Sequence, residues 1–224
     1  MSCFEEFKRE GHCHDHGHGG GHDHDHDHSH DSEEVLKDSL FTKIDLDNVR
    51  CMNEKEKDSI KGVFKPWDER MDVTKYVDSD ADEQLIIHIP FTGQVKLKSI
   101  LIRGGPDGTA PRTMKVYSNR PGIDFDNVES EKPSQVFSLV QAPNNAQPIE
   151  YNTNVIKFRQ VTHLTLFFAD NFGEDTTRIL YIGLKGDWIA VKQKTLSGVV
   201  YEATPNLKDH DVPANANAVS RFVG

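Results

Sequence analysis

Nine histidines stand between His12 and His30, mostly at every second position: His12, His14, His16, His18, His22, His24, His26, His28 and His30. In an extended chain, a period of two sends alternate side chains to one side. His22 to His30 then share a side, with Asp23, Asp25 and Asp27 opposite. Imidazoles gathered in this way chelate Zn²⁺, Ni²⁺ or Cu²⁺. A structural zinc site has fixed tetrahedral spacing and ordered supporting groups, and the run has neither pattern. Adventitious metal on a solvated tail is the expectation, with no cofactor required; metal buffering by the tail is the alternative. Imidazoles titrate near pH 6.5, so the charge of this segment swings on mild acidification.

Other candidate chemistry is sparser. Asp78-Ser79-Asp80-Ala81-Asp82 opens like a calcium loop, but that template needs Gly at its sixth position and Glu at its twelfth. Glu83 and Ile89 stand there. These acids are expected to cap a turn before a strand, bonding local backbone N–H groups. Cys51 is the lone cysteine outside the tail, and His88, His163 and His210 are the histidines beyond it. A nucleophile needs a base beside it. His88 and His163 fall on strand-like runs, so Cys51 is expected to be a small core residue. No Gly-x-Ser-x-Gly elbow or phosphate-cradling glycine loop occurs. The chain is therefore expected not to be an enzyme. Phe64, Lys65, Trp67 and Arg70 combine aromatic rings with cations, the residue types favoured at interface hot spots. They are a candidate protein-binding surface; the competing expectation is that Phe64 and Trp67 anchor a proline-stiffened loop.

The elements that would carry these residues read as short strands. Leu85, Ile87 and Ile89 alternate with Ile86 and His88, and Pro90 ends the ladder role of that strand. Val95–Ile102 follows, with apolar parity changing across Ser99 as at a bulge. Met114–Ser118, Val136–Val140, Val155–Phe158, His163–Ala169, Arg178–Leu184 and Val199–Ala203 continue the series. Gly104–Gly108 and Asn119–Gly122 carry turn residues. Ile179–Leu184, apolar on both faces, belongs at the centre of a sheet. Asp47–Asn53 reads as one or two helical turns, with Asp47 as N-cap and Val49 and Met52 inward. Many short strands without long helices predict an all-β sandwich or jelly roll.

Charge divides the chain unevenly. Of the net charge of −10 over 224 residues, residues 1–34 carry −8, from two bases and ten acids. The body is close to neutral and lacks the basic field that nucleic acid or an anionic membrane requires. Residues 1–33, rich in His, Asp and Gly, are expected to be disordered; residues 34–204 form the sandwich, and residues 205–224 a loose tail. The three cysteines form no disulfide framework. No apolar h-region or membrane-length run occurs. A monomer in the cytoplasm, and also the nucleus, is the expected state and address.

Several separated blocks carry a family resemblance: GVFKPW at 62–67, SDADEQLIIHIPFTG at 79–93, VKLKSILIRG at 95–104, KVYSNRPGIDFDNVE at 115–129 and KFRQVTHLTLFFADNFGEDTTRILYIGLKGDW at 157–188. In order and spacing the chain resembles the PITH domain, a proteasome-interacting module, in its stand-alone form. The resemblance implies a galactose-binding-like jelly roll and association with the 26S proteasome regulatory particle. It brings no catalytic or metal ligands. The thioredoxin half of longer relatives has no counterpart here, since the chain contains no Cys-x-x-Cys pair. The fold similarity alone raises small-ligand, glycan-like binding as a further alternative.

Overall fold

The computed structural model describes residues 37–189. Among the described residues run eight strands: β1 Arg50–Met52, β2 Val77–Asp78, β3 Leu85–Gly104, β4 Pro111–Ser118, β5 Gln135–Ser138, β6 Ile149–Asn152, β7 Val161–Asn171 and β8 Arg178–Ile189. All strand pairs are antiparallel. The 20-residue β3 organises the jelly-roll sandwich because its two halves pair differently. Its first half lies between β1 and β7, and the order β1-β3-β7-β4-β5 makes one layer. Its second half lies between β8 and β6, and the order β2-β8-β3-β6 makes the other. Pro90 still opposes His163, but its ring has no N–H to donate. The pairing with β7 breaks between Pro90 and Val95, where β3 crosses between layers.

Alternation fills the space between the layers. Leu85, Ile87, Ile89, Val95, Leu97, Ile100 and Ile102 of β3 meet Leu164, Leu166 and Phe168 of β7 and Ile179, Ile182 and Leu184 of β8 in one buried core. Full burial of each such side chain contributes about 1.5–3 kcal/mol. The parity change across Ser99 is a bulge: Leu97 opposes Gly186, and Ser99 opposes Lys185. Backbones approach closely there, since a Cβ on Gly186 would sit 2.2 Å from the Lys96 carbonyl oxygen. Thr153 satisfies the bulged carbonyls, its N–H reaching Lys98 O at 2.8 Å and its hydroxyl reaching Leu97 O at 2.7 Å.

Both flanks of the sandwich are laced shut, which removes open strand edges. On one flank Lys55 N–H donates to Asp78 O and Asp80 N–H to Asn53 O, at 2.9 and 3.0 Å. On the other, Gln135 bonds Asn152 O and the Asn154 N–H.

Three sequence expectations need correction. Asp47–Asn53 is a 3-10 turn at Leu46–Asn48 followed by β1, and Asp45 rather than Asp47 precedes the turn. Val49 is buried as expected, but Met52 packs against the opposite face of the sheet. Val155–Phe158 is a turn. The Asn154 side chain accepts the Ile156 N–H, an Asx turn that competes with strand pairing. It leaves Ile156 83% exposed and drives Phe158 into the core. The strand beside it is β6, too short to stand out by alternation. Val199–Ala203, the tail histidines and residues 205–224 lie outside the described residues.

Candidate protein-interaction face

Residues 59–64 plug the core, and residues 65–76 run on across the outer face of the β2-β8-β3-β6 layer. Their descent begins with a 3-10 turn at Ser59–Val63. The Glu54 carboxylate secures it, accepting the Asp58 and Ile60 N–H groups at 2.8 and 3.1 Å. Ile60, Val63 and Phe64 enter the core. A second turn, Trp67–Glu69, then lays a ring across the sheet.

Two buried cations pin this loop, and both bind backbone carbonyls. Lys65, 3% exposed, donates to Asp72 O at 2.6 Å and Lys75 O at 3.0 Å. The Asp72 carboxylate lies 3.9 Å away. Arg103 of β3, 6% exposed, donates to Met71 O and Asn144 O, each at 3.0 Å. Burial lowers the pKa of both groups, while the converging carbonyl dipoles favour the charged forms. Hydrogen bonds from Thr74 hold the Asp72 carboxyl below the usual range.

Above these anchors sits a stack. The Arg70 guanidinium lies 4.1 Å from the Trp67 ring centroid, and Trp67 meets Tyr181 of β8 edge-on at 6.5 Å. Arg70 also donates to Gln147 Oε1 at 2.7 Å and to Trp67 O at 2.8 Å. Burial pushes the Tyr181 hydroxyl up to about 12. The arrangement gives a flat, preorganised aromatic–guanidinium surface with both outer groups half-buried. Such a surface loses little side-chain entropy on contact.

The four sequence candidates therefore divide. Phe64, 4% exposed, is a loop anchor, and the Lys65 ammonium is turned inward. Neither can be a contact residue in this conformation, because the core and the carbonyl cage already enclose them. Trp67 and Arg70 reach the surface together. The partners that orient them, Tyr181, Gln147 and Arg103, come from distant segments. A guanidinium ending the apolar run Ile100–Ile102 is the one sequence signal that points to Arg103.

The remaining candidates occupy structural positions. Asp78 forms a bidentate pair with Arg178, both contacts 2.6 Å. Asp82 accepts the Gln84 N–H and the Asn53 side-chain amide. Among the described residues, no group of three or more His, Cys, Asp or Glu side chains is placed to hold a metal ion. Cys51 packs against the core, where burial raises its pKa. His88 and His163 sit side by side on the outer face of the other layer, with ring centroids 5.6 Å apart. Trp188 is 42% exposed, with the Lys43 ammonium 4.5 Å over its ring.

Comparison with known proteins agrees with this architecture. The PITH domain signature matches residues 30–205. The PITH domain-containing protein CG6153 of Drosophila melanogaster is 47% identical over 172 residues, covering 77% of this chain and 80% of that protein. PITH domain-containing protein 1 of Homo sapiens is 45% identical over 173 residues, covering 77% and 81%. These relatives are named for the domain and not for a reaction. Among solved structures, the CBM32-1 and CBM32-2 domains of Clostridium perfringens ZmpB, in complex with GalNAc, superpose with a TM-score of 0.51. Identity there is 8%, over 72% of this chain and 40% of that one, a likeness of fold alone. The chain belongs to the PITH domain family, which implies a protein-interaction module on a galactose-binding-like jelly roll.

Proposed function

We propose that this protein is a non-enzymatic docking module of the cytoplasm and nucleus that associates with the 26S proteasome. Family membership is what supports this partner. The observation that carries the contact face is the Arg70–Trp67–Tyr181 stack on a loop fixed from beneath by Lys65 and Arg103. Tryptophan, tyrosine and arginine dominate interface hot spots, and groups held in their bound geometry dock without a large ordering cost. Docking would cover about 800 Å² on each partner, the usual scale for a stable contact.

The test is co-sedimentation of the full chain with purified 26S proteasome, compared with a Trp67→Ala/Arg70→Ala variant. Binding by the parent chain and its loss in the variant is the expected result. No binding by the parent chain at low salt overturns the partner. Equal binding by both overturns the face.

A further inference from the structure

On the outer face of the β1-β3-β7-β4-β5 layer, residues 119–134 form a loop of irregular backbone held over a small core of Ile86, Tyr117, Phe167, Ile123 and Val128. Where residues 121–124 of this loop pass β1, a groove of about 520 Å³ opens between them. That volume lies within the usual range of ligand sites. Register lays a row of nitrogen-bearing side chains along its floor. Arg50 of β1 stands directly opposite His88 of β3, and His163 of β7, opposite Pro90, follows on the diagonal. The two imidazole rings are 5.6 Å apart. Met52, Pro90, Pro121 and Ile123 add apolar surface beside the row.

The members of the row differ in what they have left to offer. Thr165 donates its hydroxyl hydrogen to Arg120 O at 3.0 Å, so its Oγ1, 3.2 Å from His88 Nδ1, accepts from that ring and fixes it. His163 Nδ1 is buried without a hydrogen-bond partner. A proton there would be a donor with nothing to receive it, so the ring proton belongs on Nε2. Burial pushes the pKa of this ring down to about 4, His88 adding to the effect, and His163 is a neutral donor at neutral pH. Arg50 is exposed and, among the described residues, has no carboxylate within ion-pair distance. Asp124 is the acid that lines the groove, but its Oδ1 already accepts the Asp126 and Asn127 N–H groups, each at 3.1 Å. Opposite charges stabilise facing positions on a sheet, and this row lacks the acid. An acceptor from outside the sheet completes it.

One guanidinium and one neutral N–H donor suit a carboxylate, which carries a single charge. A phosphomonoester carries about −1.5 to −2 at neutral pH, and its second charge would face Asp124 unmatched. The apolar walls favour a carboxylate carried between apolar neighbours over a bare acid. We propose that the groove binds an acidic peptide segment of a partner protein, with one Asp or Glu carboxylate between the Arg50 guanidinium and His163 Nε2 and the apolar neighbours of that residue against Met52 and Ile123. This contact lies on the opposite layer from Trp67 and Arg70 and does not depend on them.

Nuclear magnetic resonance of the full chain at low salt and neutral pH tests this, with the amidated peptide acetyl-Leu-Glu-Leu as ligand. Saturable shifts should centre on the Arg50 side chain and the His163 ring. The Gln counterpart of the peptide should bind about tenfold more weakly, and Arg50→Gln should weaken the Glu peptide by about as much while leaving the melting temperature unchanged. The absence of saturable shifts at millimolar peptide overturns the proposal, as does equal binding of the Glu and Gln peptides. A stronger response to inorganic phosphate makes the groove a site for a different anion and overturns the peptide. If these resonances ignore the peptide but move when residues 11–31 are deleted, the occupant is the acidic segment of this same chain, and the partner is overturned.

Discussion

The two outer faces of this sandwich are covered by irregular loops, but the loops are held by different chemistry. Residues 64–76 are fastened by Lys65 and Arg103, buried cationic side chains that donate to backbone carbonyls. Residues 119–134 are fastened by two hydroxyls of the sheet, Tyr117 donating to Val128 O and Thr165 to Arg120 O. Each cation of the first set supplies two or more carbonyls, whereas each hydroxyl of the second supplies one. A loop held by several buried donors can present a fixed docking surface. A loop without regular hydrogen bonding is therefore not by that fact a loop without rigidity.

Substitutions can break the rigid side of this comparison. Phe64→Ala removes a fully enclosed ring beneath the loop and should cost about 3–5 kcal/mol in urea unfolding. Arg103→Met keeps the stem but strips the carbonyls of Met71 and Asn144 of their donor. A loss of about 2–4 kcal/mol is expected, with weakened proteasome binding because Arg70 and Trp67 lose their footing. Arg103→Lys should recover little, since one ammonium cannot span carbonyls from two segments as a guanidinium fork does.

The softer face predicts smaller numbers. Tyr117→Phe removes one buried hydrogen bond to Val128 and should cost about 1 kcal/mol. It should also raise amide exchange within residues 119–134. Arg70→Ala should change stability by about 1 kcal/mol or less, the range for a partly exposed cation–π pair, yet weaken docking. That split between stability and binding is what distinguishes Arg70 from Phe64 and Lys65. Deleting residues 11–31 should leave the melting temperature of the sandwich unchanged while abolishing Ni²⁺ or Zn²⁺ uptake measured by calorimetry.

Much of the architecture is legible in residue order because alternation is a local property. Leu85, Ile87 and Ile89 announce a half-buried strand, and the slip of parity at Ser99 announces a bulge that places Gly186 against Lys96. Val155–Phe158 misleads because the residue before the aliphatic run, Asn154, closes a turn over it with its side chain. The helical reading of Asp47–Asn53 fails for a related reason. Three residues of that stretch pair with Ile86–His88, a partner more than thirty positions away.

The candidate site was legible only in outline. Sequence singled out Phe64, Lys65, Trp67 and Arg70 by residue type, and their adjacency made them look like one patch. Tertiary structure sent Phe64 and Lys65 inward and left Trp67 and Arg70 outward, because the chain turns at Trp67–Glu69 and its buried carbonyls need donors. Likewise, His88 and His163 read separately as sheet-face residues, and register alone brings their rings together. Alternation, turn residues and charge distribution, all set by near neighbours, determined that this chain makes a β-sandwich with an acidic, histidine-rich N-terminal segment. Which side chains became anchors, which became surface and which became a coupled pair was decided by contacts between residues tens of positions apart. Local chemistry can propose such contacts, but only the packed fold supplies them.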